Sequence, residues 1–327
     1  VQQGSVAATT VRGARDALDD PNDAGAIAEL QAWSTEDLIA GVHEATLRFA
    51  VVDGHELAQV RALYPSAKVA FTVGEPRALA WAFPAAQDDS LRNLVNAWFT
   101  RITTSGRFTT IWDRYFGHKQ SFDYVDARTL LRHYDNRLPK YRQYFEGAAK
   151  AYGFDWRLLA ALSYQESHWD EGAQSPTGVR GLMMLTRNTA RALKVDRNDP
   201  AQSIVGGAAY LERMTGKIPE RIAEPDRTWM SLAAYNVGYG HLEDARVLAA
   251  RAGLNPDRWL DVASQLPLLS QKKWYSTVKH GYARGREPVR YVNNIRRYYD
   301  VLIWLDGGER PATMPSLGRE LTDSLAL

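Results

Sequence analysis

The spacing of apolar residues divides the chain into two stretches of different texture. From Val1 to about Gly117, short apolar runs alternate with helical patterns. Thr46–Asp53, Lys68–Val73 and Ala78–Phe83 read as buried strands, ended by Asp53-Gly54, Gly74 and Pro84. Helices are predicted over Thr35–His43, His55–Leu63 and Ser90–Thr103. Ser34 or Thr35 caps the first, with Glu36 and Asp37 in its first turn, and Ser90 caps the last. Strands alternating with helices predict an α/β layer structure here.

From about Phe122 to Asp306 the strand signals fade and helices follow one another. Pro139 opens one helix and Gly153 closes it. Asp155 caps a helix over Trp156–Trp169, and others follow at Thr186–Lys194, Pro200–Gly216, Thr228–Ala234, Leu242–Ala252 and Val289–Trp304. The boundary is placed near residues 117–128, where Gly117-His-Lys-Gln-Ser is polar and aperiodic. The expected class is therefore multidomain: an α/β domain over residues 1–120, a mostly α domain over 121–310 and a tail over 311–327.

Composition adds little to this. The chain is 45% hydrophobic and 24% charged, ordinary for a globular protein, with 10 Trp and 16 Tyr that either fill the core or line a groove for sugar rings. A net charge of +2 argues against a nucleic-acid partner. Basic residues gather between Lys272 and Arg297, either as a solvated helix face or as a surface for an anionic polymer. With no Cys there is neither a disulfide framework nor a thiolate metal site, and nothing else has metal-ligand or phosphate-loop spacing, so no metal or cofactor is expected. No apolar run approaches the roughly 20 residues of a membrane span. The opening VQQGS, without initiator Met or a secretion signal, reads as a processed or truncated piece.

The candidate chemistry lies on the helix after Asp155. Leu158, Leu162 and Glu166 are four residues apart and share one face. A carboxyl at the end of an apolar stripe, near a helix C-terminus, holds its proton for two reasons: desolvation and the negative end of the helix dipole. A carboxylic acid protonated near neutral pH is what glycosidic cleavage requires. On spacing alone, a last-turn glutamate facing water is the commoner arrangement, and the spacing does not overturn it.

Four motifs in order sharpen this reading: Gln165-Glu166-Ser167; Gly178-Val-Arg-Gly-Leu-Met-Met-Leu-Thr186; Ala233-Ala-Tyr-Asn-Val-Gly-Tyr-Gly240; and Pro288-Val-Arg-Tyr-Val-Asn-Asn-Ile-Arg296. Together they resemble the lytic transglycosylase family, whose catalytic domain has a goose-type-lysozyme-like fold. The resemblance implies that Glu166 is the general acid and then the base. It implies that Ser175 orients the substrate's N-acetyl group, that Gly181-Leu-Met183-Met184 lines the groove, that Tyr235 and Asn236 lie at the cleaved bond, and that Tyr291 holds the catalytic carboxyl. Plainer readings stand beside these: Ser175 as a turn residue before Pro176, Met184 as core filling, Tyr235 as a buried residue with a satisfied hydroxyl, Tyr291 as helix packing beside Tyr298. Many relatives carry Gln where this chain has Met184. His168 reads as surface and Trp169 as core.

The same resemblance implies a substrate, peptidoglycan, and a mechanism without a second carboxylate. The 2-acetamido group stabilises the positive sugar, and the C6 hydroxyl of N-acetylmuramic acid closes a 1,6-anhydro bridge. It also implies a periplasmic protein peripheral to the outer membrane. Residues 35–117 resemble part of a periplasmic solute-binding domain, through Ser34–Leu38, Phe49–Asp53, Leu79–Ala82 and Leu91–Gly117, which implies that the first domain senses muropeptides or peptide stems. Two competing readings are a hydrolytic lysozyme that shares Glu166 and a peptidoglycan-binding or muropeptide-sensing protein with an inert catalytic half.

Overall fold

The computed structural model describes residues 1–16, 27–31, 33–60, 64, 67–75, 78–84, 88–117, 124–175 and 178–307. The chain divides into two compact units, Val1–Arg128 and Thr129–Leu327. The expected tail, residues 311–327, lies outside the described residues, as do 61–63 of the second predicted helix and 118–123 of the predicted boundary.

The first unit contains α1 (Val6–Asp16), α2 (Thr35–His43), α3 (Gly54–Val60), α4 (Ser90–Thr104) and α5 (Arg107–Trp112). Helix α2 begins in a capping box: Ser34 Oγ accepts the Asp37 amide at 3.1 Å while Asp37 Oδ2 accepts the Ser34 amide at 2.8 Å. Ser90 does not cap α4. Its own amide and hydroxyl donate to Asp88, at 2.8 and 3.0 Å.

The expected α/β layer structure is corrected. Among the described residues there is no strand, only isolated bridges such as Gln2 with Leu30. The three strand-like runs are irregular, and their large side chains face solvent: Phe49 is 75% exposed, Phe71 76% and Leu79 76%. An apolar run becomes a strand only when a neighbour takes up its backbone donors and acceptors, and no such neighbour is present among the described residues. These runs instead frame a cavity of about 900 Å³ within the first unit.

The second unit is helical throughout. Helix α6 (Tyr124–Asn136) leads into it; α7 (Arg142–Tyr152), α8 (Trp156–Ser167), α9 (Arg187–Leu193), α10 (Pro200–Thr215), α11 (Asp226–Val237), α12 (Tyr239–Arg251), α13 (Trp259–Gln265), the short α14 (Lys272–Tyr275) and α15 (Arg286–Leu305) follow. Gly153 ends α7 in the left-handed conformation, and Asp155, Thr186 and Asp199 cap α8, α9 and α10 through their side chains. Helix α8 is the centre. Every residue from Leu158 to Tyr164 is buried, so the helix is enclosed on all sides rather than amphipathic.

Helix α15 lies antiparallel along α8. At one end Tyr299 donates to Asp155 at 2.7 Å, and Arg157 pairs with both Asp155 and Asp306. At the other end Tyr291 reaches Glu166. In between, the Tyr164 and Tyr298 rings meet edge to face with centroids 4.8 Å apart.

Candidate active site

Glu166 sits in the last turn of α8 and is half-buried. Burial raises its pKa from the ordinary 4.5 to about 7, against the opposing effect of a hydrogen bond from Tyr291. The Tyr291 hydroxyl donates to Glu166 Oε1. Tyr291 and Tyr235 both have pKa values well above the ordinary 10, first through burial and then through the nearby charge of Glu166. The two tyrosines therefore remain neutral donors beside the carboxyl.

Beyond Glu166 the chain turns sharply. His168 and Trp169 occupy the left-handed region, with φ of 53° and 54°, a conformation that costs roughly 1–2 kcal/mol for a non-glycine residue. The surroundings hold it there. Arg137 donates to the His168 carbonyl at 2.9 Å, and the Trp169 ring, 1% exposed, donates through Nε1 to the Ala160 carbonyl at 2.9 Å. His168 is exposed and Trp169 is core.

The segment from Gln174 to Leu185 packs against α8 by its backbone. Ser163 and Ser167, one helical turn apart, both donate to the Leu182 carbonyl, at 3.0 and 2.9 Å. Tyr235, on α11, donates to the Met183 carbonyl at 2.9 Å, and the Met183 amide donates to Ser203 Oγ on α10 at 3.2 Å. Three helices thus clamp two consecutive peptide groups. Gly181 permits this because it has φ +80° and because a side chain there would strike the Arg197 carbonyl at 1.8 Å.

This arrangement sorts the expected site residues. The Met183 side chain is fully buried and packs where a Cβ on Gly207 would come within 2.4 Å of it. Its neighbour Met184, half-buried with φ 46°, points a different way. Tyr235 is half-buried at the clamp, with its ring edge to face on Tyr210 at 5.1 Å. Asn236 is exposed one residue later on α11, which ends at Gly238 with φ 88° and ψ 143°. Ser175 is half-buried and its hydroxyl accepts the Val179 amide at 3.2 Å, as part of a turn whose Pro176 and Thr177 lie outside the described residues. Glu166, Tyr235 and Tyr291 are brought together by this fold. Ser163 and Ser203 were not anticipated, although the four-residue step from Ser163 to Ser167 on an otherwise apolar helix marks a polar stripe aimed at something.

One further loop borders the site. Asp244 on α12, 3% exposed, accepts the backbone amides of Lys279, His280 and Gly281 at 3.1, 2.8 and 3.1 Å. This pins the residues between α14 and α15 over Gly240, whose missing side chain leaves room for the His280 ring.

Residues 143–253, which include Glu166 and the Gln174–Leu185 segment, match the family described as Transglycosylase SLT domain. The matched stretch lies within the second unit. The chain is 50% identical over 296 residues to the membrane-bound lytic murein transglycosylase F of Marinobacter nauticus, covering 90% of this chain and 59% of that protein. It is 53% identical over 276 residues to membrane-bound lytic murein transglycosylase F 1 of Alkalilimnicola ehrlichii, covering 84% and 56%. The chain thus spans less than two thirds of the length of these curated relatives. A solved structure of an inactive mutant of the lytic transglycosylase Slt from Pseudomonas aeruginosa shares 16% identity at a TM-score of 0.38, covering 84% of this chain and 41% of that one. Tyr291 lies beyond the stretch matched to the SLT family, and it joins Glu166 through the docking of α15.

Proposed function

We propose that the chain is a lytic transglycosylase that cleaves the β-1,4 bond between N-acetylmuramic acid and N-acetylglucosamine in peptidoglycan. The observation that carries this reading is Glu166: a half-buried carboxyl with its pKa raised to about 7, hydrogen-bonded by a neutral tyrosine.

Protonated Glu166 gives its proton to the glycosidic oxygen as the bond to the muramic C1 breaks. The substrate's 2-acetamido oxygen stabilises the positive C1. Glu166, now a carboxylate, removes the proton of the muramic C6 hydroxyl, and that oxygen attacks C1 to close the 1,6-anhydro ring. The glutamate ends protonated, and no water is consumed. The attacking hydroxyl belongs to the same sugar, so little entropy is lost in bringing it to C1. Tyr291 orients the carboxyl; Tyr235, Asn236, Met184 and Ser175 contact the sugar chain.

The first unit, by its likeness to part of a solute-binding domain, senses muropeptides or peptide stems and regulates the second. The setting is the periplasm, at the outer membrane, and no helix of the described residues is long and apolar enough to cross a membrane. Mass spectrometry of purified peptidoglycan digested by this chain tests the reading. Anhydro products, lighter by one water than hydrolytic ones and absent with Glu166→Gln, support it. Reducing-end products show a lysozyme, and an undigested substrate shows an inert domain.

A further inference from the structure

Outside the Glu166 site, the second unit holds an open cavity of about 560 Å³ whose lining includes Gln174, Arg180, Arg187, Arg191 and Arg197, with Asp196 as its one acidic residue. Two of these charges are already engaged. Arg197 Nη1 donates to the Gly178 and Leu185 carbonyls at 2.9 and 3.0 Å, and Asp196 Oδ1 accepts the backbone and side-chain amides of Asn198 at 2.9 and 3.1 Å. Arg180, Arg187 and Arg191 are exposed, and their guanidinium groups have no hydrogen bond or ion pair among the described residues. Elsewhere in this unit arginines find carboxylates, as Arg142 does with Asp306, Arg246 with Asp257 and Arg258 with Asp261. Four guanidinium groups lining one cavity with a single carboxylate, Asp196, leave an excess of positive charge that suits an anion, most strongly one that is planar and bidentate.

The position of the cavity selects the anion. Arg180 bridges to Gln174 and to Leu185, within the segment whose Leu182 and Met183 carbonyls are clamped to α8 and α11 beside Glu166. The cavity lining and the clamped peptide groups therefore belong to one short segment, Gln174 to Leu185. A muramic acid–glucosamine strand is itself uncharged once its lactyl group is amide-linked; its negative charges are the carboxylates of its peptide branches. We infer that the cavity lined by Arg180, Arg187 and Arg191 binds a carboxylate of the peptide branch of the peptidoglycan strand, so that the enzyme reads peptide-bearing glycan as well as sugar. This rests on the function proposed above.

The test compares wild type with the double variant Arg187→Gln/Arg191→Gln on two substrates, intact peptidoglycan and the same glycan stripped of peptide by an amidase. The ratio of kcat/KM on peptide-bearing to peptide-free glycan falls about tenfold in the variant, the loss of roughly one charge-assisted contact, and the difference shrinks in high salt. An unchanged ratio overturns the inference while leaving the cleavage reaction standing. Failure of wild type on both substrates overturns the proposed function itself. Titration of the Glu166→Gln chain of residues 1–327 with a free acidic stem tripeptide and with inorganic phosphate, followed by NMR, separates two anion sources. Binding of the tripeptide, lost with the double substitution, supports the inference. Binding of phosphate alone overturns the peptide assignment.

Discussion

The hydroxyl of Tyr291 donates to Oε1 of Glu166 across 125 residues of sequence. This one contact joins the C-terminal end of α8 to the first turns of α15 and fixes the carboxyl in an enclosed place. Its effect on proton affinity opposes that of its surroundings: burial raises the pKa and the hydrogen bond lowers it.

The first prediction concerns Glu166→Gln. Activity is abolished, and the stability profile changes with a definite sign. The native carboxyl keeps its proton to about pH 7, whereas the unfolded one ionises near 4.5. The stability contributed by the protonated form is therefore lost as pH rises from about 4.5 to 7. Gln has no proton to lose, so above pH 7 the variant is more stable than wild type by about 3 kcal/mol, and near pH 4 the two coincide. Urea unfolding at pH 4 and pH 8 measures this. Wild-type kcat/KM falls on the alkaline side of about pH 7 for the same reason.

Tyr291→Phe removes the hydrogen bond that lowers the pKa of Glu166, so the alkaline limb of the rate profile moves upward. At the same time kcat falls by up to about 100-fold because the carboxyl loses its orientation. A profile that stayed in place with a diminished kcat would mean that Tyr291 is only packing.

The shared acceptor of Ser163 and Ser167 gives a coupled pair. Each single change to Ala costs about 1 kcal/mol, because the Leu182 carbonyl keeps its other donor. The double change leaves a buried carbonyl without either hydroxyl and costs more than the sum. A double-mutant cycle by chemical denaturation reads the excess.

These partnerships mark the limit of what pattern reading reached. Helix α2 matches its predicted span, Thr35–His43, because cap and periodicity are local. The enclosed place of Glu166 was visible in the step Leu158, Leu162, Glu166, and Tyr291 was visible through its motif. The strands over 46–53, 68–73 and 78–83 failed because a strand depends on a neighbour that no local run specifies. Met183 and Met184 are adjacent in a turn, where neither a helical nor a strand period says which points inward. Ser203 and Asp244 were missed because their partners are backbone amides 20 and 35 to 37 residues away, and any residue type supplies those.

Asp244→Ala is accordingly a sharp test of a residue with no motif. Three loop amides lose their common acceptor, at a cost of about 3 kcal/mol. Hydrogen exchange at Lys279, His280 and Gly281 rises well before the helices open, and Asp244→Asn, with one carbonyl oxygen left, falls between the two.

Helix α15 is the last element of the second unit among the described residues, and that order has a temporal consequence. A growing polypeptide carries Glu166 for 125 residues of synthesis before its tyrosine exists. Until the final helix docks, that glutamate is an ordinary ionised side chain with no proton to give. Maturation of the acid and completion of the fold are one event, so a fragment ended before Arg286 holds the residue but not the reactivity.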